Sequence, residues 1–206
     1  MTAASKDLAT LLKKRSKPPG RTPKEWLFAA KLDVPSGSLF VGDPHLDPDD
    51  AYVAKVPSGT YIVEAKLKDA GGEWWTSRLR VRLEESEEPT LGKKIGDTCT
   101  DIAAFGFYDL SAVNAAIAGK NDDFVQLLLN KNFSRCGLIQ IKMKEMVTIA
   151  FVETNFDCGA RVFELRNGRK RIGVEVEIEF EELEAFLEEE AAAKKQRAKK
   201  KKGRSK

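Results

Sequence analysis

The chain has a single histidine, His45, and this scarcity excludes most sites of nucleophilic catalysis. Any Ser–His or Cys–His pair would need that residue, and no G-x-S-x-G segment is present to expose a serine. The sequence also lacks the G-x-x-x-x-G-K-[ST] and G-x-G-x-x-G loops that cradle phosphates. These absences favour a protein that is not an enzyme.

Cysteines are few as well: Cys99, Cys136 and Cys158. They cannot all form disulfides with one another, and their wide spacing is not that of a zinc knuckle. We expect free thiols, each a small buried residue, in a reducing compartment.

Long hydrophobic runs are missing too. No apolar stretch approaches the roughly 18 residues needed to span a bilayer, and the N-terminus lacks the apolar segment of a secretion signal. We therefore expect no membrane span and a cytoplasmic location.

Charge is abundant, and its sign differs between the ends and the body of the chain. Residues 1–24 carry +6 and residues 194–206 carry +9, so a net charge of +3 leaves −12 on residues 25–193. An acidic body favours encounter with basic partners, whereas a dense cationic tail binds nucleic acid backbones or anionic membranes.

Composition divides the chain into three parts. Residues 1–24 are a basic arm, with a short helix from Ser5 to Lys14 and a proline-rich linker. Residues 25–180 are a β-rich globular domain. Residues 181–206 begin as an acidic helix, Glu181 to Ala193, and continue as a disordered basic tail.

The central part alternates apolar and polar residues with the period of two that is typical of half-buried strands. This pattern predicts strands at Thr60 to Lys68, Glu73 to Leu83, Met146 to Val152, Ala160 to Arg166 and Arg171 to Phe180. Helix formers predict one or two helical stretches between them, over Leu110 to Ala118 and Asp122 to Lys131. The fold class is α+β and β-rich: an antiparallel sheet or sandwich with a short helical insertion and a C-terminal helix.

Two details of this strand pattern can be compared directly with a structure. In Glu73 to Leu83 the alternation places Trp75 on the buried face with Leu79, Val81 and Leu83. Asn167-Gly168 predicts a hairpin with a type I′ turn, because both central residues of that turn need a positive φ.

The segment V-P-S-G occurs twice, at Val34 to Gly37 and at Val56 to Gly59, each time before an apolar run. Proline and glycine at this spacing predict a tight turn. Two copies are too few for a solenoid. We interpret them as two turns that enter strands of the same sheet.

Three segments resemble the bacterial family called domain of unknown function 4241. They are P-S-G-S-L-F-V-G-D-P with the later P-S-G-T-Y-I-V-E, D-I-A-A-F-G-F-Y-D (Asp101 to Asp109), and N-F-D-C-G-A-R-V-F-E-L-R-N-G-R (Asn155 to Arg169). The resemblance covers roughly residues 32–180. Where the family tends to have glycine on both sides of an aspartate, this chain has Phe156 and Cys158. The resemblance implies a fold and no activity.

Three aspartates, Asp43, Asp101 and Asp157, are the candidate metal ligands. Carboxylates that meet at one end of a sheet can bind Ca²⁺ or Mg²⁺, or act as general acid and base. The alternative is that these aspartates only form turns and strand ends, which is the ordinary use of this residue.

Two basic features are candidates for nucleic acid or anion binding. The first is the row Arg78, Arg80 and Arg82 beside Trp74-Trp75. The favoured alternative is that this row pairs with the glutamates of the Arg171 to Phe180 strand. The second is the tail, with Lys199, Lys200, Lys201, Lys202 and Arg204.

These features lead to three functional hypotheses. The first is a non-enzymatic protein-binding module whose acidic body masks a basic partner, as a bacterial immunity protein or antitoxin does. The second is a nucleic-acid-associated protein that binds through its basic ends. The third is a divalent-metal-binding domain or metal-dependent enzyme that uses Asp43, Asp101 and Asp157, with no other cofactor expected.

Overall fold

The computed structural model describes Leu8, Thr10, Leu12 and residues 25–45, 52–70, 73–117 and 121–180. The predicted C-terminal helix, Glu181 to Ala193, the basic tail and most of the N-terminal arm lie outside these residues.

Within the described ranges the chain forms eleven strands and two helices. The strands are β1 (Leu27–Val34), β2 (Ser38–Gly42), β3 (Tyr52–Lys55), β4 (Gly59–Ala70), β5 (Glu73–Leu83), β6 (Thr90–Thr100), β7 (Ala104–Asp109), β8 (Cys136–Lys142), β9 (Met146–Glu153), β10 (Cys158–Asn167) and β11 (Lys170–Ile178). The helices are α1 (Leu110–Ile117) and α2 (Asn121–Leu129), between β7 and β8. Neither helix is long and apolar enough to cross a membrane.

The strands form two antiparallel sheets. Sheet A has the order β1-β4-β5-β11-β10-β6, and sheet B has the order β3-β2-β7-β9-β8. This arrangement confirms the predicted β-rich antiparallel sandwich with a short helical insertion.

The core lies in two layers, one on each face of sheet B. The layer between the sheets includes Leu39 of β2 and Phe107 of β7 with Val63 and Val174 of sheet A. On the other face, Phe40 and residues such as Tyr108 pack with α1 and α2. Because both faces of β2 and β7 are covered, every residue of these two strands is buried.

The alternation predicted for β5 is interrupted by a β-bulge. The pairing with β4 runs Lys66 with Arg78 and then Leu67 with Thr76, so Ser77 is the extra residue. An extra residue moves the following side chains to the opposite face. The prediction that Trp75 shares the buried face is therefore wrong: Trp74 is 1% exposed, whereas Trp75 is only partly buried.

The β10–β11 hairpin is present, but its turn is shifted by one residue. Asn167 pairs with Lys170, so the two central residues are Gly168 and Arg169. Among these, only Gly168 has a positive φ, 58°. The predicted type I′ turn centred on Asn167-Gly168 is wrong, and the pattern of φ is that of a type II′ turn.

The two V-P-S-G segments are corners at which the chain changes sheet. The first leads from β1 of sheet A to β2 of sheet B, and the second leads from β3 of sheet B to β4 of sheet A. The prediction that both enter one sheet is wrong. The corners also touch, because the amide of Val56 donates to the carbonyl of Gly37 at 2.9 Å. A Cβ on Gly37 would lie 2.4 Å from the carbonyl oxygen of Val56, and the φ of Gly37 is 70°. Both observations require glycine at this position.

The N-terminal arm contributes to the core. Leu8 and Leu12 are 0% and 2% exposed and belong to the layer between the sheets, whereas Thr10 is exposed. Side chains at this spacing lie on one face of a helix. Removing residues 1–24 would therefore also remove core side chains.

We expect Leu8→Ala to lower the free energy of unfolding by about 2–5 kcal/mol, because it leaves a cavity in the core. Chemical denaturation would measure the change. Thr10→Ala, on the exposed face of the same segment, is the matched control and should change stability by less than about 0.5 kcal/mol. Equal effects of the two substitutions would contradict the packing of this arm.

A buried carboxylate, Glu164 of β10, holds two arginines near the β10–β11 hairpin. Its side chain accepts from Arg166 at 2.7 Å and from Arg171 at 3.2 Å, and the residue is 2% exposed. The hydrogen bond from Arg166, followed by that from Arg171, outweighs the effect of burial and lowers the pKa of Glu164 from 4.5 to about 2.

This pKa predicts how the contribution of Glu164 depends on pH. Because the folded pKa lies below the unfolded one, the ion pairs stabilise the fold above about pH 4.5, and that stabilisation is lost as pH falls toward 2. We expect Glu164→Gln to lower Tm at pH 7, and the difference from wild type to shrink between pH 5 and about pH 2. Glu179→Gln, which breaks an exposed pair with Arg161, is the control and should have a smaller effect. A Tm difference that stays constant over this range would contradict the assignment.

Candidate functional site

Four segments meet at one end of the sandwich, which we call the loop end. They are Asp43–His45, Asp101–Ala103, Lys131–Arg135 and Thr154–Asp157. Each adjoins a strand end, and the pairing of Cys158 with Thr100, of Ala104 with Glu153 and of Cys136 with Val152 brings those ends together. All three candidate metal ligands lie here.

Asp43 is a buried carboxylate that organises two of these segments. It is 2% exposed, and its Oδ2 accepts from the amide of Asp101 at 2.7 Å and from the hydroxyl of Thr100 at 3.3 Å. Its Oδ1 accepts from the amide of His45 at 2.7 Å. Both oxygens therefore stabilise loop backbone.

Asp157 reaches the same loop from the other side. Its Oδ1 accepts from the amide of Ala103 at 3.0 Å, and the carbonyl of Ala103 accepts from the amide of Thr154 at 2.7 Å. These bonds hold Ala103 at a φ of 54°, a conformation that costs free energy for a residue other than glycine.

The three aspartates thus converge on one loop, but by different routes. Asp43 and Asp157 bond to its backbone, while Asp101 contributes its amide and has an exposed side chain. Among the described residues, no group of three or more His, Cys, Asp and Glu side chains is arranged to hold a metal ion. A metal site built from these aspartates stays a prediction.

A second buried carboxylate at the loop end, that of Glu153, belongs to a cleft of about 420 Å³. Glu153 is 9% exposed, and its Oε2 accepts from the amide of Arg135 at 2.6 Å. The amide of Glu153 in turn donates to the carbonyl of Arg135 at 2.6 Å, and Arg135 has a φ of 79°. The residues that line the cleft come from three of the loop-end segments and β9: His45, Ile102, Ala103, Lys131, Asn132, Phe133, Ser134 and Glu153.

The only histidine has a structural contact in this cleft. The Nε2 of His45 lies 3.2 Å from the carbonyl of Leu128 at the end of α2, which makes that nitrogen the donor. Its ring also packs edge-to-face on Phe133, with 5.2 Å between centroids. These contacts fix both rings as walls of the cleft.

The arginine row of β5 lies on the outer face of sheet A and is paired with glutamates. Arg78 donates to Glu177 at 2.7 Å and to Glu175 at 3.1 Å, which is the predicted pairing with the last strand. Arg80 and Arg82 instead donate to Glu64 of β4, at 2.7 and 2.9 Å.

Arg80, in the middle of this row, is buried and has further partners. Arg80 is 5% exposed, its guanidinium lies 4.3 Å from the ring centroid of Trp26, and it also donates to Glu88. Anion binding by Arg78, Arg80 and Arg82 would have to compete with these partners and stays a prediction.

The three cysteines are free thiols, as expected. Burial raises the pKa of Cys136 to about 11 and that of Cys158 to about 12, so both remain protonated at neutral pH. The expectation that all are buried is wrong: Cys99 is exposed, and Cys136 and Cys158 are only partly buried. Cys99 is aligned with Gly159, one residue from Cys158, so the two thiols point to opposite faces of the sheet.

Compared with protein-family models, curated proteins and solved structures, the chain has no match. The resemblance to domain of unknown function 4241 gains no support from these comparisons and stays a prediction.

Sequence reasoning did not find the cleft. Its two charged side chains, Lys131 and Glu153, are separated along the chain from each other and from His45, and neither belongs to a recognisable motif. The one available signal was His45, the single histidine, which directly follows Asp43-Pro44.

A pair of substitutions separates the structural from the metal-binding role of these aspartates. We expect Asp43→Asn to lower the free energy of unfolding by about 1–3 kcal/mol, because an amide group would face three donors. Asp101→Asn, at an exposed side chain, is the control and should be nearly neutral. Thermal melting with and without Ca²⁺ or Mg²⁺ would measure both effects. A rise in the wild-type Tm with either ion, lost in both variants, would support the metal hypothesis instead.

Proposed function

We propose that the protein is a non-enzymatic binding module whose loop end recognises a basic protein partner, as an immunity protein or antitoxin masks a cationic enzyme. The observation that carries this proposal is the placement of charge: carboxylates from separate segments meet at the loop end, while the arginine row of sheet A is neutralised by glutamates.

The loop end presents more negative than positive side chains. Asp101 and Asp157 are exposed there and Glu153 lines the cleft, against the exposed Lys131 and Arg135. Charge of one sign on a loop surface accelerates the encounter with an oppositely charged partner and selects against other partners.

The loops of this end are also held in place before a partner arrives. Asp43 and Asp157 fix the Asp101–Ala103 loop from two sides, and Glu153 fixes Arg135. Loops fixed in this way lose little conformational entropy on binding. Binding loops on a rigid β-scaffold are a common solution for protein recognition.

The other two hypotheses remain alternatives. Binding of nucleic acid would depend on the tail residues Lys199 to Lys202 and Arg204 and would fall steeply with salt. Metal binding would depend on Asp43, Asp101 and Asp157. A cytoplasmic location belongs to the proposal as well, because three free thiols suit a reducing compartment.

The test is affinity capture from a nuclease-treated native lysate, followed by measurement of association with the purified captured protein. We expect wild type to retain a discrete basic protein, and Asp101→Lys to slow its association roughly tenfold at low salt. Glu85→Lys is the matched control, since it makes the same charge change at an exposed residue of the opposite end.

Two outcomes would contradict the proposal. Equal loss with Asp101→Lys and Glu85→Lys would mean that the loop end is not the recognition surface. Capture that disappears on nuclease treatment or on deletion of residues 194–206 would favour nucleic acid binding through the tail. This deletion keeps the buried Leu8 and Leu12 in place and so leaves the core complete.

A further inference from the structure

We propose that the protein forms a dimer in which strand β8 of one copy pairs antiparallel with β8 of a second copy. The two B sheets then become one continuous sheet with five strands from each copy. The observation that carries this inference is the open edge of β8, which has β9 as its single hydrogen-bonded neighbour among the described strands. The inference is independent of the proposed function, because it concerns a strand edge and not the loop end.

The other edge strands of the sandwich are protected against pairing with a further strand. A free edge exposes unpaired backbone groups, and proteins block such edges with bulges, lysines or very short strands. In sheet A, β1 has a bulge between Phe28 and Ala30 and an exposed Lys31. On the other side of that sheet, β6 carries the exposed Lys93 and Lys94, and its register with β10 shifts twice. In sheet B, β3 has four residues.

Strand β8 lacks these protective features over most of its length. It has seven residues and pairs with β9 in an unbroken register, from Cys136 with Val152 to Lys142 with Met146. Its one charged residue, Lys142, is the last, and the residues between are G-L-I-Q-I. A regular, uncharged edge of this length is a template for another strand.

Exposed apolar side chains lie beside this edge. Leu138 and Met146 are 48% and 54% exposed. The register places both on the face opposite to that of Ile141, which packs in the layer with the helices. There they line a groove of about 370 Å³ together with Lys31 and Asp33 of β1. Apolar side chains exposed next to an open edge favour a surface that is covered by another chain.

The pattern of edges favours a second copy as the occupant. Two identical antiparallel strands are related by a two-fold axis, so the same surface serves both copies. Because β1, β3 and β6 are protected, the pairing uses the one open edge of each copy and closes at two chains. An open edge of each sheet would instead allow the assembly to grow into a fibre.

The charges of the edge are compatible with this symmetry. A pairing centred on Ile139, the middle residue of β8, overlaps all seven residues and places Lys142 of one copy opposite Cys136 of the other. The two Lys142 side chains then lie about 20 Å apart along the strands, which is more than twice the Debye length of about 8 Å. A parallel alignment would bring them to about 5 Å, so charge selects the antiparallel pairing.

The same register covers the exposed leucine. Leu138 of one copy lies opposite Gln140 of the other, and the two Leu138 residues are diagonal neighbours across the axis. Long side chains contact one another at this separation. The loop ends of the two copies point in opposite directions, because each adjoins the first residue of its own β8, so the dimer leaves both accessible.

Sedimentation velocity of the full chain over a range of micromolar concentrations tests the dimer. High salt is used, because it screens attraction between the basic tail and the acidic body. We expect the mass of two chains at the upper concentrations, and Leu138→Lys to raise the dissociation constant at least about tenfold, because a lysine on an edge opposes pairing. Leu91→Lys is the matched control, since Leu91 is a leucine of the edge strand β6 with the same 48% exposure. This change should leave the dimer intact.

Two further measurements locate the interface. Hydrogen exchange of the backbone amides in residues 136–142 should slow as the protein concentration rises, whereas exchange in β6 should not change. The double variant Leu138→Lys/Gln140→Glu places opposite charges across the axis. It should recover part of the dimer that Leu138→Lys alone loses.

Several results would overturn this inference. A monomer at every concentration would do so, as would equal weakening by Leu138→Lys and Leu91→Lys. Protection of residues 136–142 that does not depend on concentration would mean that another part of the same chain covers the edge. Failure of the double variant to recover any dimer would contradict the pairing about Ile139. Thermal melting of both lysine variants checks that the fold persists, as expected for exposed positions.

Discussion

The loop end depends on one buried carboxylate, that of Asp43. A buried carboxylate without donors would be costly, and here the amides of Asp101 and His45 and the hydroxyl of Thr100 all point at it. Because Asp43 follows β2 and Asp101 follows β6, this group ties a strand of sheet B to one of sheet A where their loops diverge. The position of Ala103, and with it one side of the Glu153 cleft, follows from this tie.

The two faces of sheet A differ in chemistry: the inner face is apolar and the outer face is charged. The inner face buries residues such as Val63, Val81 and Val176 against sheet B. The outer face carries charge of both signs at matching registers, with Arg80 aligned between Glu64 and Glu175. Cross-strand pairs of opposite charge stabilise a sheet and cancel its field at a distance. At the loop end, by contrast, the carboxylates of Asp43 and Asp157 accept from backbone amides.

Much of the fold could be predicted from period-two alternation, because a strand with one buried face alternates apolar and polar residues. β4 and β11 were found in this way. β6 was not, since an edge strand with mostly exposed side chains, T-L-G-K-K-I-G-D-T-C-T, has no such pattern. A bulge at Ser77 reversed the faces of Trp74 and Trp75, which alternation alone cannot show. The metal hypothesis required the aspartates to meet at one end of a sheet, and they do. Their partners, however, are mostly backbone amides, which no sequence pattern specifies.

The contact between the two V-P-S-G corners has a consequence for the order of assembly. Strands β1 and β4 are hydrogen-bonded neighbours, with Val34 aligned to Gly59, yet the chain between them travels to sheet B and back. The hydrogen bond from the amide of Val56 to the carbonyl of Gly37 joins the two ends of that connection. Pairing of β1 with β4 therefore closes a loop. The entropic cost of that closure is lower once β2 and β3 have paired with each other, because the effective loop is shorter. We therefore expect pairing of β2 with β3 in the second sheet to favour completion of the β1–β4 edge of the first.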